Sequence, residues 1–243
     1  MINMNTKTLI IGAGPSGLSC ASKISETSTE YIVIDKGKNL TDRIHNQVSD
    51  IAKGVGGLGL FSDGKFSFFP SGSNVYSLHE HYVEKAYVKL KIELESIGVQ
   101  APALELEKAR TTNNKLFNGK KEYRSIYVNL HHRKLLVKNQ LEKLNRNVVP
   151  NTKANKINKT NDGYITECIN SDGEIVFIKS RHIVISTGKY GFLGALPDSI
   201  LSFCDFSVKE GRFEFGIRIE TNPKASFFNK NAENDIKYTG VFT

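Results

Sequence analysis

Cysteine is scarce in this sequence. Cys20, Cys168 and Cys204 are the three present in 243 residues, and none sits in a C-x-x-C pair. That excludes a disulfide framework, a four-cysteine zinc site and a locally built dithiol redox pair, and the three thiols read as small packing residues. No run approaches the ~20 apolar residues that a membrane helix needs. The opening MINMNTKTLIIGAG has no basic segment leading into a long apolar stretch, so no secretory signal is expected and the chain is assigned to the cytosol. Internal repeats and low-complexity segments are absent. The net charge of +8 comes without an arginine-rich stripe or basic residues interleaved with aromatics, so no nucleic-acid partner is expected. The six histidines lack the carboxylate or cysteine spacing that completes a metal site, and no metal is expected. No G-x-S-x-G nucleophile turn is present. What remains is ordinary for a core-forming protein: 39% hydrophobic and 24% charged.

The organisation begins with a short apolar run, Lys7–Ile11, which reads as a buried parallel strand. The glycine turn Gly12–Gly17 (GAGPSG) follows. A helix is expected from Pro15 to about Ser25, because proline suits a first turn where the missing N–H costs nothing. Tyr31–Asp35 reads as a second buried strand. Asn39–Ile51 is polar with room for a short helix. Gly54–Gly64 (GVGGLGLFSDG) is a loop rich enough in glycine to need unusual backbone angles or close approach. Phe66–Gly72 continues extended. Ser77–Ile97 is expected as an amphipathic helix with a Ser77/Glu80 capping box. Its apolar face is Val83, Ala86, Tyr87, Leu90, Leu94 and Ile97, and Gly98 closes it. Glu105–Arg124 reads as irregular, and His132–Asn145 as a helix with Leu135, Leu136, Leu141 and Leu144 inward. The period then changes to two. Strands are expected at Val148–Ile157, Tyr164–Ile169, Ile175–Lys179 and Arg181–Ser186, with hairpin joints at Asn161–Gly163 and Ser171–Gly173. A further strand is expected at Arg212–Thr221.

The glycine turn carries the chemistry, because it directly follows a strand and opens a helix. Gly12 permits the tight turn, Gly14 lets a pyrophosphate sit against the backbone, and Gly17 lets helix and strand pack closely. The unpaired N–H groups of the first helical turn, with the helix dipole, suit a diphosphate. Asp35, at the end of the second strand, is placed to accept hydrogen bonds from an adenosine ribose. This half-site alone leaves NAD and FAD open. FAD is favoured by the glycine cluster after the second strand, by the β-hairpins over 148–180, and by the strand ending in Thr187-Gly188 that returns the chain to the cofactor. Lys65 is either a positive charge at the flavin's pyrimidine edge or a solvated loop lysine. His131-His132-Arg133 is a candidate contact for an anionic substrate or for cofactor phosphates.

In order, VIDKGKNLTDRI, VGGLGLFSDGKF, HHRKLLVKNQLEKL, VISTGKYG and FEFGIRIE resemble the blocks of bacterial FAD-dependent dehydrogenases of the NAD(FAD)-utilising type. These belong to the glutathione-reductase-like, two-dinucleotide-binding flavoproteins. The resemblance covers most of 7–68 and 126–221, and the G-G-x-G-x-F-S-D-G-K block is its most specific part. It implies that Gly12, Gly14, Pro15, Ser16 and Gly17 surround the FAD pyrophosphate. Asp35 would bind the adenosine ribose with Lys36 beside it, and Arg43 would reach the nucleotide. Gly56, Gly57, Ser62 and Gly64 would line the pyrophosphate and flavin. Ala154 would read the adenine edge through its backbone, and Thr187 and Gly188 match an ATG-type motif in which Ser186 replaces alanine. Two features depart from the family. Asn129–Arg133 replaces an H-I-G-T-D-like run, and the family's C-terminal glycine-aspartate motif is missing, which makes this chain resemble the N-terminal half of a longer protein.

The expected fold is therefore α/β: a Rossmann-like FAD-binding domain with a β-meander insertion and part of a second, substrate domain. The expected divisions are 1–74 and 126–190 for the FAD-binding domain, 75–125 for a substrate-facing insertion, and 191–243 for the start of the substrate domain. The expected activity is FAD-dependent oxidation or reduction of a small molecule, with NAD(P)H as a possible electron donor. A nicotinamide-only dehydrogenase and a non-catalytic fragment are the alternatives. No residue is singled out as a catalytic acid or base.

Overall fold

The computed structural model describes residues 2–45, 47–69, 71, 78–104, 106, 120–144, 147–188, 199 and 235–238. The chain divides into two compact units, Met1–Gly64 with Leu130–Lys209, and Lys65–Asn129 with Glu210–Thr243.

The first unit is built on one six-stranded sheet. Its strands are β1 (Ile2–Ile11), β2 (Tyr31–Ile34), β6 (Val148–Val149), β7 (Lys153–Thr160), β8 (Gly163–Ile169) and β9 (Ile175–Ile185), in the spatial order β6-β2-β1-β9-β8-β7. The pairs β6/β2, β2/β1 and β1/β9 are parallel; β9/β8 and β8/β7 are antiparallel. Two helices pack on this unit's core: α1 (Pro15–Ile24) and α4 (Leu130–Lys143). A third, α2, is the single turn Val48–Ile51. Alternation along β1 separates two apolar layers. Ile10 joins Leu18 and Ala21 of α1, Val33, and Val137 and Leu144 in one; Leu9 and Ile11 join Ile34, Ile157, Cys168, Val176 and Ile178 in the other. Leu9, Ile10, Leu18, Ile34 and Ile178 are wholly buried, each worth roughly 1.5–3 kcal/mol over its exposed state. This is a mixed α/β unit whose sheet is parallel over β6-β2-β1-β9, with a Rossmann-like opening.

Three strand boundaries differ from expectation. The strand Lys7–Ile11 begins at Ile2 instead, because Ile2–Thr6 pair with Val176–Ser180 although their polar sequence shows no strand pattern. Val148–Ile157 is two strands, split at Pro150 and Asn151; proline removes a ladder donor, and Asn151 adopts φ 52°. Ile175–Lys179 and Arg181–Ser186 are one strand, β9. The polar triplet Lys179-Ser180-Arg181 resembles a joint, yet Ser180 is buried and paired with both Thr6 and Tyr164. The meander thus shares its last strand with the parallel half of the sheet.

The second unit contains β3 (Lys65–Ser67) paired antiparallel with β5 (Ser125–Tyr127), and β4 (Lys120–Tyr123) paired antiparallel with β10 (Asp235–Tyr238). Its helix is α3 (Glu80–Glu95). The capping-box residue Ser77 lies outside the described residues. His79 is the N-cap, its ring nitrogen accepting from the His81 amide at 3.3 Å. Val83, Leu94 and Ile97 are buried and Tyr87 and Leu90 half-buried, whereas Ala86 is exposed, so the apolar face is narrower than its sequence pattern. Gly98, at φ +78°, closes the helix as expected. The strand expected at Arg212–Thr221, nearly all of 191–243 and most of Glu105–Arg124 lie outside the described residues. Among the described residues, no helix is long and apolar enough to cross a membrane.

Candidate functional site

The end of β1 turns sharply into α1. Gly12 has φ +106°, and a Cβ there would lie 2.5 Å from the Ser186 carbonyl oxygen. A Cβ on Gly17 would lie 1.8 Å from the Gly12 carbonyl oxygen. Both glycines are therefore demanded by the fold. Gly14 is different. It is the helix N-cap with φ −77° and ψ −177°, an extended conformation open to any residue, and an added Cβ would make only an ordinary 3.7 Å contact with Gly57 Cα. No side chain caps the helix, and Pro15 and Ser16 at its start are exposed. The first-turn N–H groups thus keep the orphan geometry that suits an anion.

Asp35 stands directly beside this turn. Its Oδ2 accepts the Ala13 amide at 2.9 Å, and its Oδ1 accepts the amides of Gly37 at 2.8 Å and Gly54 at 2.9 Å. The Ala13 carbonyl in turn accepts from the Gly56 amide at 2.8 Å. The glycine loop is thereby laid against the turn from β1 into α1, with Gly57 (φ +63°) held beside Gly14. On the other side, Ser186 returns the chain to the turn. Its amide donates to the Ile11 carbonyl at 2.8 Å, and its hydroxyl lies within hydrogen-bond reach of the Ile11 and Gly12 carbonyls, at 3.0 and 2.9 Å.

Arg43 does not take the place expected for it. It is buried, 3% exposed, and donates through all three nitrogens to backbone carbonyls: Asp50 at 2.6 Å, Val55 at 2.7 Å and Gly57 at 3.0 Å are its shortest bonds. Its guanidinium also lies 4.8 Å from the Phe61 ring centre. Burial lowers its pKa, with Asp35 and Asp50 opposing that, and an arginine stays charged regardless. A side chain so committed braces the glycine loop and has no donor left for a nucleotide. Asp50, also buried, accepts from the Ile44 amide and from Lys38 Nζ, each at 3.0 Å; the Ile44 amide is the largest cause holding its carboxyl below the ordinary value.

Arg133 on α4 braces the other end of the loop. Its Nη1 donates to the Ser62 carbonyl at 2.7 Å and to that of Gly59 at 3.3 Å, and it is 5% exposed. Its neighbour His131 is exposed and His132 half-buried.

The remaining candidates fall as follows. Ser62 is exposed and its hydroxyl donates to the Gly59 carbonyl at 2.9 Å; Gly56 and Gly64 have φ +90° and +87°. Lys36 is exposed. Ala154 is buried on β7 opposite Cys168, beside a bulge before Lys156. Thr187 follows Ser186 at the turn, and Gly188, exposed at φ +70°, has no atom within 4 Å of an added Cβ. Lys65 belongs to the second unit, its ammonium 5.4 Å from the Tyr123 ring centre. Among the described residues, no group of three or more His, Cys, Asp or Glu side chains stands together to hold a metal ion. The sequence offers Arg133 as a contact for an anionic substrate or cofactor phosphates, whereas its Nη1 donates to the Ser62 and Gly59 carbonyls of the loop. Reading along the sequence alone misses the anchoring role of the Ser186 hydroxyl; its signal is the hydroxyl replacing alanine before Thr187.

Residues 10–81 match the family model described as an NAD(P)-binding Rossmann-like domain. No curated protein matches the chain. Among solved structures, it is similar to a flavoprotein/dehydrogenase from Cytophaga hutchinsonii, with 14% identity and a TM-score of 0.41 over 80% of this chain and 41% of that one. It is also similar to NikD, an amino acid oxidase of nikkomycin biosynthesis, with 9% identity and a TM-score of 0.46 over 80% of this chain and 54% of that one. A third likeness is to the bacillithiol disulfide reductase of Bacillus cereus, with 16% identity and a TM-score of 0.40 over 76% of this chain and 40% of that one. The chain thus spans 40 to 54% of the length of these three structures.

Proposed function

We propose that this chain binds FAD and forms the dinucleotide-binding part of an oxidoreductase acting on a small molecule, with NAD(P)H as its electron donor. The observation that carries the reading is Gly14. Neither its backbone angles nor its neighbours require glycine, yet it stands at an uncapped, exposed helix mouth. A missing side chain there makes physical sense if a diphosphate must approach the backbone closely. Bound FAD supplies hydride chemistry at its ring system. In this reading the α1 N-terminus and Gly14 hold the diphosphate. The adenosine ribose meets the remaining acceptor capacity of Asp35, with Lys36 beside it. Gly57, Ser62 and Gly64, braced by Arg43 and Arg133, support the flavin side. Ala154 offers its backbone to the adenine, and Thr187 and Gly188 close the turn. Substrate specificity is assigned to 70–125 and to the chain beyond 190.

A nicotinamide-only site is the second reading, favoured by the description of the matching Rossmann model. The experiment is a paired titration of purified protein with FAD and with NADH, after scanning it for flavin absorbance. Flavin bands or saturable FAD uptake support the first reading, and NADH binding without FAD uptake replaces it with the second. Binding of neither dinucleotide refutes both.

A further inference from the structure

The geometry points to Asp35 as a positioning residue that builds the diphosphate cradle, a role distinct from gripping the ribose. The inference rests on the reading of the α1 turn as that cradle. An ionised carboxylate has about four acceptor sites. Three are filled by the amides of Ala13, Gly37 and Gly54, which come from three separate segments of chain. Such charge-assisted bonds are roughly twice as strong as neutral ones.

The bonds close a ring. From Asp35 Oδ2 it passes through Ala13 to the Gly56 amide, and through the loop to Gly54 and Asp35 Oδ1. The peptide joining Val55 to Gly56 is gripped on both sides, since its carbonyl accepts from Arg43 at 2.7 Å while its N–H meets Ala13. Ala13 is therefore held at both its N–H and its carbonyl, which fixes where Gly14 begins. The Asp35 backbone is equally fixed: its amide donates to the Val149 carbonyl at 3.1 Å and its carbonyl accepts from the Thr152 amide at 2.8 Å. Turning the carboxylate toward a ribose would break bonds that shape the turn. About one acceptor site remains, enough for a single hydroxyl.

The test has two arms. In the ligand-free wild-type protein, hydrogen exchange of the Ala13, Gly37 and Gly54 amides should be slowed at least about tenfold relative to unstructured chain. Exchange at unstructured rates overturns the inference without any variant. In the second arm, ADP and 2′,3′-dideoxy-ADP are titrated into wild type and Asp35→Asn, the variant being checked for folding by circular dichroism. A cradle builder weakens dideoxy-ADP by about tenfold or more, and ADP by that factor plus the loss of its single hydroxyl contact. A ribose gripper weakens ADP alone, and an unchanged dideoxy-ADP affinity in folded Asp35→Asn overturns the inference. If Asp35→Asn does not fold, the exchange arm decides. Binding of neither nucleotide nor FAD by wild type refutes the proposed function and the cradle with it, whereas nucleotide binding with unprotected amides overturns the role of Asp35 alone.

Discussion

Replacing Gly14 and Gly17 separately by alanine distinguishes a glycine kept for a ligand from one kept for the fold. In Gly17→Ala, the new Cβ lies 1.8 Å from the Gly12 carbonyl oxygen and 2.7 Å from Ser186 Oγ. Alanine's helix propensity returns about 1 kcal/mol. Overpacking costs about 1–3 kcal/mol and sometimes more, and here the obstacle is a backbone oxygen between two fixed strand ends. A net loss of about 2 kcal/mol is expected. In Gly14→Ala the methyl meets only Gly57 Cα at 3.7 Å, in a conformation alanine adopts freely. Losing glycine at an N-cap costs up to about 1 kcal/mol. The stiffer unfolded chain offsets about 0.4–1 kcal/mol of that, so stability stays within about 0.5 kcal/mol of wild type. The same methyl stands where the diphosphate must come, and FAD affinity should fall at least about tenfold, or 1.4 kcal/mol. Urea unfolding of ligand-free protein and FAD titration by flavin fluorescence provide the two readouts. If Gly14→Ala is destabilised as much as Gly17→Ala, or binds FAD like wild type, the reasoning from Gly14 fails.

Arg43→Met should cost at least about 3 kcal/mol in urea unfolding, because the carbonyls of Asp50, Val55 and Gly57 lose their donor at a cost of about 1–3 kcal/mol each; a loss below about 1 kcal/mol would show that the brace is dispensable. Asp50 is held below the ordinary carboxylate value, so its contribution is complete above that value and disappears as pH falls through the lower folded one. Urea midpoints of wild type and Asp50→Asn should therefore converge in acid, and divergence there would reverse the sign. Cys168 is wholly buried, and burial, helped by Glu167, pushes its thiol up to about 12. Iodoacetamide at about pH 8 should leave it unmodified in folded protein and label it in urea, as read by peptide mass spectrometry.

The elements legible in the sequence are those whose cause is local. Tyr31–Ile34 is a buried apolar run, and α1 opens with Pro15 directly after a glycine turn. The adjacency of Asp35 to that turn follows from β1 and β2 being parallel neighbours. Where partners come from afar, local pattern misleads. Ser180 looks like a break until Thr6 is laid beside it, and Ile2–Thr6 become a strand only because β9 is long enough to pair with them. The two arginines show the same limit within the site. A basic residue between a strand and a glycine cluster looks free for phosphate, and only the folded chain turns its donors onto carbonyls of the loop. The three amides on Asp35 come from positions 2, 19 and 22 residues distant, which no spacing rule brings together.

The pairing of β1 with β9 has a kinetic consequence. Ile11 and Ser186, bonded to each other at the end of these strands, stand 175 positions apart. A ribosome making this chain releases the whole second unit's first segment before the neighbour of β1 exists. Until then one side of the central strand offers a row of bare backbone groups, an invitation to pair with the wrong chain. Closure over so long a separation is slow. Expression at low temperature or with abundant chaperones should therefore raise the yield of correctly assembled protein.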